Sequence, residues 1–381
     1  MSTRVLILAA SYGEGHWQAS RATETELRRR EPDAEVSVLD FGQFLNPAVN
    51  SLARYTYLQS IRRAPRLYGE FYYRTMRIRP DSGVQRRLNR LGHTPLQAAL
   101  NRQRPDLVVC THPTPAGVMS RLRQSGLTDV TLATIVTDYA VHSQWLHPMV
   151  DMYFVGSEFM RDAFIQWGLS PETVHATGIP IRAMFSEPVD REAARARFGL
   201  RQDLPTILLM GGACSVLSQM ERIPRLLREL DQEVQVLTVC GRRERMRRRM
   251  EREADRFGRE RMKVYGYVEQ MGELMGAADL IITKAGGLTT TEALAMNLPI
   301  VIYRPIVGQE EENTRFLVGA GAAVATYNLK DLKRCLHGLL QSPENLRRMR
   351  AAARIIAKPH AAQALVSTML ERLRIGSLVP T

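Results

Sequence analysis

Short apolar runs alternate with amphipathic stretches along this chain, in two successive series. The first series of apolar runs lies at 5–10, 35–39, 107–110, 131–136 and 152–155, and the second at 206–210, 234–240, 263–265, 280–283 and 300–303. The stretches between the runs have helical spacing, for example at 16–30, 114–124, 243–257 and 288–296. Strands that alternate with helices predict parallel sheets, and continuous apolar strands indicate that helices cover both faces.

Two such series in 381 residues predict two domains, because a single core stops growing near about 250–300 residues. Gly178, Pro180 and Pro188 interrupt the alternation, so we place the linker there. We therefore predict an α/β protein with two Rossmann-like domains, at 1–178 and 179–360, whose parallel sheets face a central cleft. Residues 361–381 are expected to form a C-terminal helix and tail. Ligands of such sheets bind at the carboxyl ends of the strands.

The charge of the chain indicates an anionic partner, because the net charge is +13 and the pI is about 9.9. An insertion at about 41–104 holds much of this charge: twelve arginines against two acids between 54 and 104, with tyrosines interleaved. Arginine beside aromatic side chains suits the surface of an anionic membrane. The alternatives are a solvated helical face with its aromatics in the core, and binding of single-stranded nucleic acid.

Other classes of protein are disfavoured by what the sequence lacks. No run approaches the roughly 18 apolar residues of a membrane-spanning helix. The first apolar run leads into a glycine-rich turn and is interpreted as a strand rather than a signal peptide, which predicts a cytoplasmic protein. The four cysteines are far apart and form no C-x-x-C pair, so neither disulfides nor a zinc site are expected.

Polar motifs that follow the strands of the first domain contain the candidate catalytic residues. Gly13 and Gly15 permit a tight strand-to-helix turn, and His16 would begin the helix and take a proton from an attacking hydroxyl. The alternative for His16 is a histidine that only satisfies a hydrogen bond. Asp138 follows a buried strand, where it would orient a histidine, act as the base, or cap the next turn. Thr114 is the expected N-cap of a helix, with Pro115 at its first position.

The second domain opens with a strand, two glycines and a helix, which is a site for a diphosphate. The residues expected there are Gly212, Ala213 and Ser215, and Arg182 in the linker would add a forked donor. No Walker lysine pattern occurs, so hydrolysis of a nucleoside triphosphate is not expected.

A longer motif in the second domain would hold the rest of a nucleotide sugar. Its turn and helix bring backbone amides and threonine hydroxyls to phosphate, and an acid one turn further accepts from ribose hydroxyls. An ordinary exposed helical residue is the alternative for that acid. The residues concerned are Tyr267, Gly286, Gly287, Leu288, Thr289 and the acid Glu292, followed by Gln309 and Glu310 at the expected sugar and by Asn313.

These motifs resemble one known family over nearly the whole chain and in the expected order. ILAASYGEGHWQASRA, THPTPAG, TDYAVHSQWLHP, TGIPI and the stretch from GYVEQMGELMGAADLIITKAGGLTTTEALAMNLPIVIYRP to IVGQEEENTRFL are similar to monogalactosyldiacylglycerol synthases and processive diacylglycerol glucosyltransferases, which are like glycosyltransferase family 28. The resemblance implies the GT-B architecture, a UDP-sugar donor, inversion at the anomeric carbon, a diacylglycerol acceptor and peripheral membrane attachment. It implies no catalytic metal, and no separate cofactor is expected.

Carried over to this chain, the resemblance makes His16 the base or an acceptor-site residue and Glu292 the ribose-binding acid. It makes Gln309 and Glu310 donor-sugar contacts, and 212–215 the diphosphate loop. Glu14 stands where the family commonly has a small residue, and Trp17 follows the histidine, so the acceptor is the less determined substrate.

We therefore predict an inverting hexosyltransferase that uses a UDP-sugar and acts on diacylglycerol or a glycosylated diacylglycerol, on the inner face of the cell membrane. Three alternatives remain open: transfer to a polyprenyl or other lipid acceptor, a GT-B-fold UDP-sugar 2-epimerase, and charge-driven binding of nucleic acid. The donor motifs disfavour the last, so no nucleic-acid partner is expected.

Overall fold

The structure is a computed structural model that describes residues 2–10, 13–76, 78, 82–83, 92–211 and 220–378. Its contacts divide the chain into two compact units. The first comprises Met1–Arg182, Val307–Gln309 and His360–Thr381, and the second Ala183–Ile306 and Glu310–Pro359. The domain limits expected from the sequence, at residues 178 and 360, stay a prediction. Among the described helices, none combines the length and the apolar character that crossing a bilayer requires.

The first unit contains a six-stranded parallel sheet in the order β2-β1-β3-β4-β5-β6. Its strands are β1 (Arg4–Ala9), β2 (Glu35–Asp40), β3 (Leu107–Cys110), β4 (Thr131–Ile135), β5 (Met152–Phe154) and β6 (Val174–His175). Helices in the described part of this unit are α1 (Glu14–Arg30), α2 (Pro47–Arg63), α3 (Pro65–Thr75), α4 (His93–Gln103), α5 (Pro113–Gln124) and α6 (Glu158–Gln166). The C-terminal helix Ala361–Leu378 completes it, because Leu365, Val366 and Met369 join the core of the sheet.

The second unit contains another six-stranded parallel sheet, in the order β12-β11-β10-β7-β8-β9. Its strands are β7 (Thr206–Met210), β8 (Gln235–Val239), β9 (Met262–Tyr265), β10 (Leu280–Thr283), β11 (Ile300–Tyr303) and β12 (Ala323–Thr326). Helix α7 (Arg191–Arg197) precedes these strands. The helices described between and after them are α8 (Ile223–Arg228), α9 (Glu244–Phe257), α10 (Met271–Ala277), α11 (Gly287–Ala295), α12 (Gln309–Gly319), α13 (Leu329–Gln341) and α14 (Pro343–Ile356). The predicted α/β class with parallel sheets is therefore confirmed.

Helix α1 shows why these residues form their element. Its buried positions include Ala19, Ala22, Thr23 and Leu27, which recur every three or four residues and so share one face. An acid in the first turn and the arginines of the last turn complement the helix dipole. The helix therefore packs on the sheet with a fixed rotation, and this rotation positions the residues of its first turn.

A half-buried carboxylate fixes the register of the central strands in the second unit. Asp279 directly precedes β10, and its Oδ2 accepts from the backbone N–H of Thr206 at the start of β7, at 2.8 Å. Arg191 and Arg195 bind the same carboxylate at 2.5 and 2.7 Å. Burial alone would raise the pKa of Asp279, but these bonds hold it below its ordinary value, so the carboxylate stays charged.

Each sheet has one point at which the strand order reverses, between β1 and β3 in the first unit and between β7 and β10 in the second. At such a point the connections leave the sheet in opposite directions, which opens a crevice beyond the carboxyl ends of the strands. The loops after these four strands are therefore where each unit is expected to bind its ligand.

Candidate active site

The imidazole of His16 lies at the reversal point of the first sheet. His16 is the third residue of α1, which begins two residues earlier than the sequence pattern predicts. Its Nδ1 lies 2.6 Å from the carbonyl oxygen of Thr111, after β3, and 3.0 Å from Oγ1 of Thr137, after β4. Because a carbonyl oxygen only accepts, Nδ1 carries the hydrogen and donates it. In the neutral ring Nε2 therefore holds the lone pair that a base requires.

A second set of hydrogen bonds holds the backbone around this ring. The hydroxyl of Ser20, one turn along α1, donates to the carbonyl oxygen of His16 at 2.9 Å and lies 3.0 Å from Oγ1 of Thr111. Ser20 and Thr111 are both fully buried. The helix and the end of β3 are thus joined both at the imidazole and behind it, which restricts the orientation of the ring.

Burial and charge act in opposite directions on His16. Burial lowers its pKa, while the negative charge of Asp138 and the bond to Thr111 raise it, and the net pKa lies below the ordinary value of 6.5. Asp138 is itself 5% exposed. His16 is therefore neutral near pH 7, and Asp138 stabilises the imidazolium that would form when the ring accepts a proton. This arrangement is compatible with both sequence-based interpretations of Asp138, as orienting residue and as base.

His112 has a structural role that the sequence pattern places elsewhere. Its Nδ1 accepts from the backbone N–H of Thr114 at 3.2 Å, and α5 begins at Pro113. The prediction of Thr114 as N-cap is therefore wrong, because the extended backbone at His112 lets the imidazole cap the helix instead. The rings of His112 and His16 form a T-shaped pair with centroids 4.8 Å apart. Burial, and then the charge of His16, lower the pKa of His112 well below its ordinary value, so it remains neutral.

Helix α3 of the insertion packs beside the TDYAVHSQW motif, which follows β4. The rings of Tyr72 and His142 are 4.8 Å apart, and the hydroxyl of Ser143 donates to the carbonyl oxygen of Thr75 at 3.1 Å. Nδ1 of His142 accepts from the backbone N–H of Gln144, and burial lowers the pKa of His142 to about 4. The insertion is therefore anchored to the loop after β4, close in sequence to Thr137 and Asp138.

In the second unit, the turn after β10 exposes the start of helix α11. Gly286 is its N-cap, and a Cβ added at Gly286 would meet no atom within 4 Å. The hydroxyls of Thr290 and Thr291 donate to the carbonyl oxygens of Gly286 and Gly287, at 2.9 and 2.7 Å, so they stabilise the turn. Open space before the first N–H groups of a helix favours an anion such as a diphosphate.

Other predicted donor residues lie on the same helix, and one follows β9 at the edge of the sheet. Glu292 is 8% exposed, so the alternative that it is an ordinary exposed helical residue is excluded. Its contact with ribose stays a prediction. Leu288 is also buried, and Thr289 is half-buried. Tyr267, after β9, is exposed, and the guanidinium of Arg242 lies 5.0 Å from the centre of its ring.

Two residues of helix α12 connect its start to the neighbouring loops. Asn313 is fully buried, and its Nδ2 donates to the carbonyl oxygen of Ala285 at 2.8 Å. Through this bond Asn313 supports the turn before α11. Oε2 of Glu310 accepts from the backbone N–H of Ile306 at 2.8 Å and lies 3.8 Å from Nζ of Lys284. Sequence reasoning did not single out Lys284, although a lysine directly after a buried strand must find a partner.

The remaining predicted residues are located as follows. Gly13 is the N-cap of α1, with open space where a Cβ would be, and Gly15 is in the first turn. Gln309 begins α12, and Arg182 is half-buried. Gly212, Ala213 and Ser215 follow β7 in the sequence and lie outside the described residues. Whether each of these residues contacts a ligand stays a prediction.

Comparison with known families assigns both halves of the chain. Residues 16–181 match the family described as monogalactosyldiacylglycerol (MGDG) synthase. Residues 206–365 match the glycosyltransferase family 28 C-terminal domain. These matches separate at the segment where the sequence predicts the linker, and together they include His16, Asp138 and the donor motifs after β7, β10 and β11.

A known relative agrees with this assignment, and solved structures share the fold. The processive diacylglycerol beta-glucosyltransferase of Bacillus pumilus (strain SAFR-032) is 30% identical over 372 residues, 97% of this chain and 95% of that protein. MurG of Acinetobacter baumannii has a similar fold, with a TM-score of 0.63 at 18% identity over 97% of this chain and 99% of that one. S. aureus MnaA, solved with UDP, has a TM-score of 0.66 at 14% identity over 98% and 97%.

The structural likenesses confirm the GT-B fold, in which each unit has its own parallel sheet. The relative of Bacillus pumilus extends over nearly the full length of both chains. This chain belongs to the family of monogalactosyldiacylglycerol synthases and processive diacylglycerol glucosyltransferases, and its second half is of the glycosyltransferase family 28 type.

Proposed function

We propose that this protein is an inverting hexosyltransferase that moves a sugar from a UDP-sugar onto diacylglycerol or a glycosylated diacylglycerol. The observation that carries the proposal is its near full-length similarity to a processive diacylglycerol beta-glucosyltransferase. The first unit supports it with a histidine whose basic nitrogen is defined by its hydrogen bonds. The second unit supports it with an open helix N-terminus at the reversal point of its sheet.

His16 activates the acceptor in this proposal. Nδ1–H is held by the carbonyl of Thr111, so Nε2 accepts the proton of the acceptor hydroxyl as its oxygen attacks the anomeric carbon. Asp138 stabilises the resulting imidazolium electrostatically. Because the attack comes from the face opposite UDP, the configuration at the anomeric carbon inverts.

The second unit and the linker residue Arg182 stabilise the departing UDP. The amides of the turn at Gly286 and Gly287, the loop at 212–215 and the guanidinium of Arg182 are the donors proposed for the diphosphate, and Glu292 accepts from ribose. Fixed donors aimed at the developing negative charge supply the stabilisation that this reaction needs. Gln309 and Glu310 contact the sugar.

The insertion provides the proposed contact with an anionic membrane surface on the cytoplasmic side of the cell membrane. Leu52 and Tyr55 of α2 and Leu67 and Phe71 of α3 are each more than half exposed. The exposed Arg66 and Arg74 lie on the same helix as the second pair. Exposed apolar side chains among arginines suit the boundary between headgroups and acyl chains, where the protein would attach peripherally.

Replacement of His16 tests the assignment of the base. We expect His16→Ala to lower transfer by at least about a hundredfold, because the general base is lost. The dissociation constant for UDP, measured by calorimetry, should change less than about twofold, because UDP is proposed to bind the other unit. The matched control is His337→Ala, which removes an exposed histidine on α13. Transfer by His16→Ala at close to the wild-type rate would overturn the assignment.

A further inference from the structure

Lys284 is a buried cation at the carboxyl end of β10 to which no role has yet been given. It is 8% exposed. Its Nζ donates to the carbonyl oxygen of Arg304 at 2.6 Å and lies 3.8 Å from Oε2 of Glu310. Burial lowers the pKa of Lys284, and the charge of Glu310 partly opposes this shift. An ammonium group is retained in such a place only where its partners compensate for the loss of water.

The loop after β11 has a strained backbone at the residue that Lys284 binds. Arg304 has a φ of +52°, a conformation that residues other than glycine rarely adopt. Its N–H donates to the carbonyl oxygen of Thr326 at 2.7 Å, while its own carbonyl accepts from Lys284. The conformation is thus held from both sides, by the adjacent strand β12 and by the lysine.

Glu310 closes this arrangement into a ring of contacts. Oε2 of Glu310 accepts from the N–H of Ile306 at 2.8 Å and is paired with Lys284, which in turn binds Arg304. The course of the loop from Arg304 to Ile306 and the direction of the Glu310 carboxylate are therefore determined together. Moving any one of these groups would displace the others.

Stability alone does not account for an ion pair at this position. An apolar pair of similar volume commonly stabilises a buried site as well or better, whereas an ion pair fixes the direction of its groups. Lys284 also precedes the Gly286–Gly287 turn by two residues, and Glu310 is one of the residues proposed to contact the sugar. The pair thus connects the turn proposed for the diphosphate with the loop proposed for the sugar.

We propose that Lys284 is a positioning residue that determines which UDP-hexose the enzyme uses. By holding the Glu310 carboxylate and the Arg304 carbonyl, it gives the loop the shape that distinguishes the hydroxyl pattern of the transferred hexose. The inference rests on the proposed function, because it assumes that Glu310 contacts the donor sugar.

The test is Lys284→Met, which keeps the length of the side chain but removes its charge. kcat and KM are measured with UDP-glucose, UDP-galactose and UDP-N-acetylglucosamine, and the affinity for UDP by calorimetry. We expect KM for the preferred donor to rise about tenfold or more, and the preference between donors to fall about tenfold. The affinity for UDP, which has no hexose, should change less than about twofold. Lys284→Arg, which keeps the charge and a donor, should restore part of the preference.

Lys333→Met is the matched control, because Lys333 forms an exposed pair with Glu229, at 3.2 Å, in the same unit. It should leave every constant unchanged. An unchanged donor preference in Lys284→Met, or an equal loss with all donors and with UDP, would overturn the inference. If the methionine variant does not fold, Lys284→Gln decides by the same readouts, because its amide can still donate to the carbonyl oxygen of Arg304 but carries no charge to pair with Glu310. Absence of UDP binding by the wild type would instead contradict the proposed function.

Discussion

Nδ1 of His16 has oxygen neighbours from two different strand ends, the carbonyl of Thr111 and the hydroxyl of Thr137. The carbonyl defines which nitrogen carries the hydrogen, and the hydroxyl shares that hydrogen as a second acceptor. Thr137 lies beside Nδ1 and not Nε2, yet through this contact it can influence the basicity of Nε2. This makes Thr137 a positioning residue for the proposed reaction.

Thr137→Val removes the second acceptor with little change in volume. We expect kcat to fall about tenfold, because the ring is held less firmly and the imidazolium is less stabilised. His16 works as a base, so activity falls as the pH drops through its pKa, which lies below 6.5 in the wild type. The valine variant should shift this acid limb to lower pH in a profile of kcat/KM, and Thr137→Ser should restore it. A profile identical to that of the wild type would contradict this role.

Sequence reasoning selected His16 as a candidate because glycines precede it, and Asp138 because it follows a buried strand; their catalytic roles stay predictions. Thr137 and Lys284 were missed, because a threonine or lysine at a strand end is common and its partners come from other strands. Thr114 was chosen as N-cap on propensity, whereas the bond that His112 makes to the backbone decides the boundary. Propensity thus identifies the candidates, and side-chain geometry selects among them.

At the scale of elements, the start of helix α11 can be tested for the close approach of a ligand to its backbone. Gly286 has ordinary backbone angles, and a Cβ there would meet no protein atom within 4 Å. Gly286→Ala should therefore fold normally, yet its methyl group would occupy the space proposed for the diphosphate. We expect the affinity for UDP to fall about tenfold or more in a calorimetric titration.

The matched control is Gly338→Ala on α13, where an added Cβ also meets no atom within 4 Å. It should leave the affinity for UDP unchanged and, in a helix interior, raise the free energy of unfolding by up to about 1 kcal/mol. Equal affinities for UDP in both alanine variants would show that no ligand approaches Gly286.

Helices α2 and α3 allow a separate test, of the proposed contact with an anionic membrane. Leu67→Ser combined with Phe71→Ser removes two exposed apolar side chains, so stability should change by only about 0.5 kcal/mol per site. We expect binding to vesicles with anionic lipid, followed by co-sedimentation, to weaken at least about tenfold. Ile355→Ser, at an exposed apolar residue of the second unit, should have no effect. Undiminished sedimentation of the double variant would place the membrane contact elsewhere.

Most strands were predictable because a strand covered on both faces is a continuous run of β-branched and other apolar residues. Two were not. Val174–His175 is too short to form such a run, and Ala323–Thr326 consists mainly of small residues that follow a glycine and alanine stretch. Both are edge strands, and pairing with the finished sheet rather than local pattern determines them.

At the scale of the whole molecule, buried histidines make the stability of the first unit depend on pH. Burial lowers the pKa of His142 and of His147 to about 4. As the pH falls below 6.5, these histidines take up protons in the unfolded chain but not in the folded one. The free energy of unfolding therefore falls on acidification, and each such histidine removes about 2 kcal/mol between pH 7 and pH 5.

His147→Gln tests this pH dependence of stability, because glutamine retains a donor for the carbonyl oxygen of Pro113 but does not titrate. Urea unfolding at both pH values should show that the loss of stability between pH 7 and pH 5 is smaller by about 2 kcal/mol than in the wild type. The exposed His337→Gln should leave the loss unchanged. A loss of equal size in His147→Gln and the wild type would refute the argument.

The α/β class, the two parallel sheets and the family were all predictable, because alternation and strand-end motifs are local features of the sequence. The strand orders were not, since pairing between distant strands leaves no mark in a single sequence. Only the orders reveal that β1 and β3, and β7 and β10, are neighbours at the reversal points of their sheets. The proposal of an acceptor function for the first unit and a donor function for the second starts from these two points.

The most direct test of the account is to incubate the full chain with diacylglycerol vesicles and each of UDP-glucose, UDP-galactose and UDP-N-acetylglucosamine, and to analyse the lipids by mass spectrometry. The account predicts diacylglycerol that has gained one or more hexoses with one preferred donor, and no such product with His16→Ala. Unmodified diacylglycerol with every donor, or conversion of a UDP-sugar to its epimer without lipid, would contradict it.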